Sequence, residues 1–270
     1  MGGPMERRLT SKDIMKMKSG GERISALTAY DYSMAHAVDR AGVDMILVGD
    51  SLGMVVYGEA NTLRVTMDQM ISHGRAVCRG AKRAYVVVDM PFMSFQVSME
   101  EGIRNAGRLM SATGASAVKI EGSHIELTKR LSQCGIPVVG HLGYTPQSVM
   151  AFGREIVRGR ALDERERIME SAFQLEEAGA VAVVLESVPE SLGKQISNET
   201  RIPVIGIGSG RFCDGEIQVL YDVLGLYPDF VPKHTRIFSH LGTSVSRTVK
   251  KYVRAVKDKT FPGEENVLRP

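Results

Sequence analysis

Five side chains capable of polar chemistry stand at one kind of place in this chain, each directly after a short apolar run. Asp50 follows MILVG, Asp89 follows YVVV, Glu121 follows AVKI, His141 follows PVVG and Glu186 follows VAVVL. Taken singly, an acid in such a place reads as a helix N-cap, as at Asp50-Ser51, or as part of a turn, as at Glu121-Gly122-Ser123. Four acids at matching positions weaken that explanation. A largely buried carboxylate is costly unless it is paired or bound to metal, so four gathered in one place call for a cation. Carboxylates without Cys, and with at most one His nearby, suit Mg²⁺, with Mn²⁺ and Co²⁺ as alternatives, and suit a structural Zn²⁺ poorly. There is no H-E-x-x-H and no His pair at metal spacing; His36, His73, His124, His234 and His240 are scattered and read as ordinary surface or core residues.

Lys119 lies two residues before Glu121, so in a strand both point to one face. A lysine there either snorkels to the surface or meets an anion; the reading preferred is an anion, the carboxylate of a substrate. The run Gly206-Ile207-Gly208-Ser209-Gly210 lacks the G-x-G-x-x-G spacing of a dinucleotide site and reads as a tight loop that lets backbone approach a ligand.

The elements that must position these groups recur along the chain. Apolar runs at 24–30, 45–49, 85–88, 117–120, 137–140, 181–185 and 203–207 are continuous rather than alternating, as strands buried on both faces require. Helix-like stretches fall between them, at 66–78, 99–113, 125–134 and 163–178, with Asp163 a plausible N-cap for the last. Gly42, Gly114 and Gly179 each precede an apolar run and read as helix stops at positive φ. Seven β/α units and a weaker eighth strand near Phe230-Val231 predict a (β/α)₈ TIM barrel as one domain over 1–270, with extra C-terminal helices after about 235. A doubly wound sheet is the alternative. The five polar residues would then share the C-terminal rim, where barrel active sites lie. Residues 142–161 form a long connection suited to a lid or substrate-binding element.

Composition narrows the classes. The chain has 270 residues, a formal net charge of +3 and 43% hydrophobic residues, enough for a large core. Basic residues cluster at the ends without interleaved aromatics or a reader motif, so nucleic acid is not an expected partner. Neither an apolar leader nor an apolar run of membrane-spanning length appears, and Cys78, Cys134 and Cys213 lack C-x-x-C spacing. A protein with reduced thiols in the cytoplasm, away from membranes, is the expectation.

From about Ser11 to Val267 the chain resembles the ketopantoate hydroxymethyltransferase family. The blocks that carry the resemblance are TAYDYSMA (28–35), VGDSLGMV (48–55), DMPF (89–92), VKIEG (118–122), HLGYTPQSV (141–149), LESVP (185–189), IPVIGIGSG (202–210) and DGEIQVLYDVLGL (214–226). The resemblance implies a (β/α)₈ barrel, a Mg²⁺ ion, 3-methyl-2-oxobutanoate as acceptor and 5,10-methylenetetrahydrofolate, or a related pterin, as one-carbon donor. It also implies a homo-oligomer, a decamer. Matched by motif, Asp50 and Asp89 would hold the metal, with Glu121 ligating it directly or through water. Asp50, Ser51, Asp89 and Lys119 would bind the acceptor, His141 and Tyr30 would line the pocket, and Glu186 would be the general base, in the apolar setting that VAVVL offers it. The sequence departs from the family pattern at Ser123, at Tyr144 and in AFGREIVRGRA (151–161). Two rival readings compete with this one. A lyase or mutase on the same scaffold would use similar acids and Mg²⁺, and a non-catalytic barrel should have lost some of the rim carboxylates.

Overall fold

Each apolar run becomes a strand: β1 (Ile24–Thr28), β2 (Met45–Val48), β3 (Tyr85–Asp89), β4 (Ala117–Glu121), β5 (Val138–Gly143), β6 (Ala182–Glu186) and β7 (Val204–Ile207), with β8 (Gly215–Gln218) completing the set. The computed structural model describes residues 7–153 and 156–268. All eight strands are parallel and pair in chain order, and β8 pairs with β1, so the sheet closes on itself. The architecture is the (β/α)₈ barrel, not a doubly wound sheet.

The eighth strand is not at Phe230-Val231. It lies earlier, at Gly215–Gln218, and carries no continuous apolar run: Ile217 joins the barrel interior while Glu216 and Gln218 remain half-buried. The expected helices form as Met67–Gly80, Met99–Thr113, Ile125–Gln133 and Leu162–Glu177. The last begins one residue before Asp163. Ala161 is its N-cap, and Asp163 sits in the first turn, paired with Arg167 at 2.8 Å. Gly42, Gly114 and Gly179 all take positive φ at helix ends, as their positions required. The connection after β5 folds into a 3₁₀ turn, Pro146–Ser148, and a short helix, Val149–Phe152; Arg154 and Glu155 lie outside the described residues. Cys78 and Cys213 are buried thiols, whereas Cys134 is exposed.

By contacts the chain divides after Val219 into two compact units. The first holds the whole barrel. Its interior alternates with the strand period of two, so residues i and i+2 face inward together. The lower inward layers are apolar, with Ala26, Met45, Leu47, Tyr85, Val87, Ala117, Val139, Ala182, Val184, Ile205 and Ile217 in one cluster. Ile14, from the helix Ser11–Ser19, is buried in that cluster too. The second unit, Leu220–Pro270, carries the expected C-terminal helical segment, Leu241–Lys257, none of whose residues is buried. Among the described residues no helix is long and apolar enough to cross a membrane.

Candidate active site

Continuing the inward alternation one step upward changes its chemistry. After Val87 comes Asp89, after Ala117 come Lys119 and Glu121, after Val139 comes His141, and after Val184 comes Glu186. Register then sets neighbours. Asp89 is the lateral partner of Lys119, Glu121 of His141, and Gly143 of Glu186. Parallel neighbours stand about 4.8 Å apart, within reach of one another's side chains.

The result is a chain of charge contacts across the barrel mouth. Lys119 Nζ lies 2.9 Å from Asp89 Oδ1 and 3.8 Å from Glu121 Oε1. It does not snorkel, being 4% exposed. His141 Nδ1 lies 3.4 Å from Glu121 Oε1 and its Nε2 3.2 Å from Glu186 Oε2. Asp50 follows β2 by two residues; its backbone N–H donates to Asp89 Oδ2 at 3.0 Å. The N-cap reading of Asp50 does not hold, because Ser51 is the N-cap of the short helix Leu52–Val55. Ser51 in turn shares a 2.9 Å hydroxyl contact with the buried Tyr30. Gly49 makes room for this group: a Cβ there would stand 2.8 Å from Ser51 Oγ and 3.6 Å from Asp89 Oδ2. The structure therefore brings all eight expected residues to the mouth of one barrel.

Electrostatics follow from crowding. Burial pushes the Asp50 carboxyl well above its ordinary range, and the nearby Asp89 and Glu121 push it further. Burial also raises Asp89, with Lys119 opposing. Lys119 is held charged, because the pull of Asp89, Glu121 and Asp50 outweighs the cost of its burial. For Glu121, burial is outweighed by His141 and Lys119, and its carboxyl is lowered. Burial and Lys119, whose nitrogen is 3.1 Å from Nδ1, work against a charged His141, yet Glu121 and Glu186 prevail and raise it to about 9. Glu186 is the most accessible of the acids, with its side chain 16% exposed, and it faces an imidazole rather than the apolar surroundings its sequence suggested.

Among the described residues no three His, Cys, Asp or Glu side chains converge as a ready-made metal cage. The donor set nonetheless fits a hard cation. Four carboxylates (Asp50, Asp89, Glu121 and Glu186) face two cationic groups, Lys119 and His141, which leaves an excess of negative charge in a nearly dry site. Oxygen ligands suit Mg²⁺ better than a soft metal.

One residue of the site had no signal in the sequence beyond its place in HLGYTPQSV. Gln147 is buried in the 3₁₀ turn after β5. Its Nε2 donates to Asp50 Oδ2 and to the Met90 carbonyl, both at 2.9 Å, and its backbone N–H donates to Glu121 Oε2 at 2.9 Å. The GIGSG segment is the tight loop expected, with Gly208 and Gly210 at positive φ and Ser209 Oγ donating to the Leu185 carbonyl.

Comparison with known proteins gives the chain a family and places its fold. The model of the family described as ketopantoate hydroxymethyltransferase matches residues 8–264. The chain is 51% identical over 262 residues to the 3-methyl-2-oxobutanoate hydroxymethyltransferase of Syntrophus aciditrophicus (strain SB), covering 96% of each chain. It is 50% identical over 267 residues to that of Acetivibrio thermocellus, covering 98% of this chain and 94% of the relative. Among solved structures it is similar in fold to a phosphonopyruvate hydrolase, with TM-score 0.61, 12% identity and coverage of 97% and 92%. A 2,3-dimethylmalate lyase of the PEP mutase/isocitrate lyase superfamily is likewise similar in fold, with TM-score 0.60, 14% identity and coverage of 96% and 92%.

Proposed function

The chain belongs to the ketopantoate hydroxymethyltransferase family, and on that premise we propose that it transfers a hydroxymethyl group to 3-methyl-2-oxobutanoate, giving 2-dehydropantoate in pantothenate and coenzyme A biosynthesis. The donor is 5,10-methylenetetrahydrofolate or a related pterin, which delivers its carbon at the formaldehyde level, with water supplying the hydroxyl oxygen. The observation that carries the reading is the buried contact chain Asp89–Lys119–Glu121–His141–Glu186 with Asp50 beside it.

Asp50, Asp89 and Glu121 would hold Mg²⁺. When bound, that ion supplies Lewis acidity, which makes a carbon next to a ketone easier to deprotonate. The other steps belong to the chain's own residues. Lys119 and Ser51 take the acceptor's anionic and polar groups, and Tyr30 orients Ser51 through the shared hydroxyl contact. His141 holds the Glu186 carboxylate from one side. Glu186 removes the C3 proton; water breaks both C–N bonds of the donor's methylene group, leaving the free carrier and formaldehyde, and the electron pair released at C3 attacks the formaldehyde carbon, forming the new C–C bond while the formaldehyde oxygen takes a proton and becomes the hydroxyl.

The partners of the proposal are further copies of the chain, as a decamer. The helix Leu241–Lys257 supports it: Val245, Val249, Tyr252, Val253 and Val256 are all exposed on it, an apolar array typical of an interaction surface.

The test combines 3-methyl-2-oxobutanoate with the folate donor, with and without Mg²⁺, and follows product by mass spectrometry and C3 deuterium exchange by NMR. Metal-dependent exchange and a hydroxymethylated product are expected. Absence of both in the presence of Mg²⁺ refutes the reading; exchange without product points to the related pterin.

A further inference from the structure

Gln147 is 5% exposed, and its side-chain amide is fully engaged. Nε2 gives its two hydrogens to Asp50 Oδ2 and the Met90 carbonyl, and Oε1 accepts from Gln96 Nε2 at 3.1 Å. The Met90 carbonyl can only accept, so a flipped amide would set oxygen against oxygen there; the orientation follows from chemistry. Together with its backbone N–H, Gln147 occupies one oxygen on each of two carboxylates, Asp50 Oδ2 and Glu121 Oε2. An oxygen that accepts such a bond is turned toward its donor, which disfavours presenting both oxygens of either acid to one ion.

We propose that Gln147 is a positioning residue that holds Asp50 and Glu121 as one-oxygen ligands and thereby favours Mg²⁺ over Ca²⁺. The inference rests on the metal reading above and goes beyond it. Mg²⁺ demands a tight octahedron at about 2.0–2.1 Å, whereas Ca²⁺ takes roughly 6–8 oxygens at about 2.3–2.6 Å and accepts both oxygens of a carboxylate. Clamping one oxygen of each acid penalises the second arrangement. Groups that orient metal ligands typically change affinity about 10–100-fold when removed.

The test titrates Mg²⁺ and Ca²⁺ by calorimetry into the metal-stripped full chain as wild type, Gln147→Leu and Gln96→Leu. Gln147→Leu deletes the amide but keeps the backbone N–H to Glu121. The expected result is Mg²⁺ binding about tenfold weaker with a smaller change for Ca²⁺, so the preference for Mg²⁺ shrinks. Gln96→Leu, at a partly exposed position, should shift the preference the same way by less. Unchanged affinities in Gln147→Leu, or equal losses for both ions, would overturn the proposal. Should that variant fail to fold, an unchanged Mg²⁺/Ca²⁺ ratio in Gln96→Leu overturns it instead. A wild-type chain that binds neither ion refutes the metal reading beneath, a result visible before any substitution is made.

Discussion

Replacing Lys119 by Met tests whether the charge chain is balanced as described. The substitution keeps most of the stem volume and deletes the ammonium. At an effective dielectric constant of about 20, the contacts of 2.9 Å to Asp89 and 3.8 Å to Glu121 correspond to gross attractions of roughly 6 and 4 kcal/mol. Desolvation of the lysine offsets much of this, and breaking a buried pair costs about 3–5 kcal/mol net. In a chain of this size 1 kcal/mol moves Tm by about 2–4 °C, so the variant should melt roughly 6–20 °C lower at pH 8 in chelator. The pH dependence has a definite sign. Asp50 and Asp89 already have raised carboxyls, and without the ammonium they rise further. The folded state then binds more protons than the unfolded one between the ordinary carboxylate range and the raised values. Stability is therefore gained as pH falls through that window and lost as pH rises through it. The deficit should narrow from pH 8 toward pH 5, as read by scanning calorimetry. A variant melting within about 2 °C of wild type at pH 8, or a deficit that widens on acidification, would refute the account of Lys119.

Three further outcomes rest on named contacts. Glu186→Gln should lower kcat about 10²–10⁴-fold while substrate and Mg²⁺ still bind; C3 proton exchange at the wild-type rate would remove Glu186 from its role as base. Gly143→Ala should destabilise the barrel and impair turnover, because Gly143 has a φ of 90° and a Cβ there would collide with the Glu186 carbonyl oxygen; wild-type Tm and kcat together would contradict this. Burial pushes Asp222 up to about 6, and its Oδ1 has no hydrogen-bond partner among the described residues. The cost of ionising it is full above about pH 6 and is relieved progressively as pH falls from there toward the ordinary value of 3.8, so Asp222→Asn should gain about 1 kcal/mol at pH 8 and roughly half of that at pH 5, measured as the difference in Tm at the two values.

What the sequence revealed, and what it hid, divides along physical lines. Strands β2 to β7 were legible because burial on both faces writes a continuous apolar run, and β1 because its inward Ile24 and Ala26 are apolar although Ser25 is exposed. β8 was not, since only Ile217 faces the interior cluster while Glu216 and Gln218 stay half-buried, leaving too little apolar text to notice. The rim acids were legible because each ends a strand or directly follows one. Their mutual contacts were not: which acid meets Lys119 and which meets His141 depends on inter-strand register, a property of pairing rather than of any one segment. Glu186 shows the same limit, since its imidazole neighbour comes from the adjacent strand and not from VAVVL. Gln147 was hidden altogether, as it lies 97 residues from Asp50 and 26 from Glu121, and only the folded turn after β5 joins the three.

The apolar layers beneath the charged one make the barrel a vessel that opens at its rim. Ile14 and the lower core close the opposite end, so in the proposed reaction acceptor, carrier, water and product must share one doorway. A molecule seated on the ionic floor is roofed over by the next arrival. Traffic should therefore be ordered: the small keto acid enters before the bulky carrier, and the finished product departs after it.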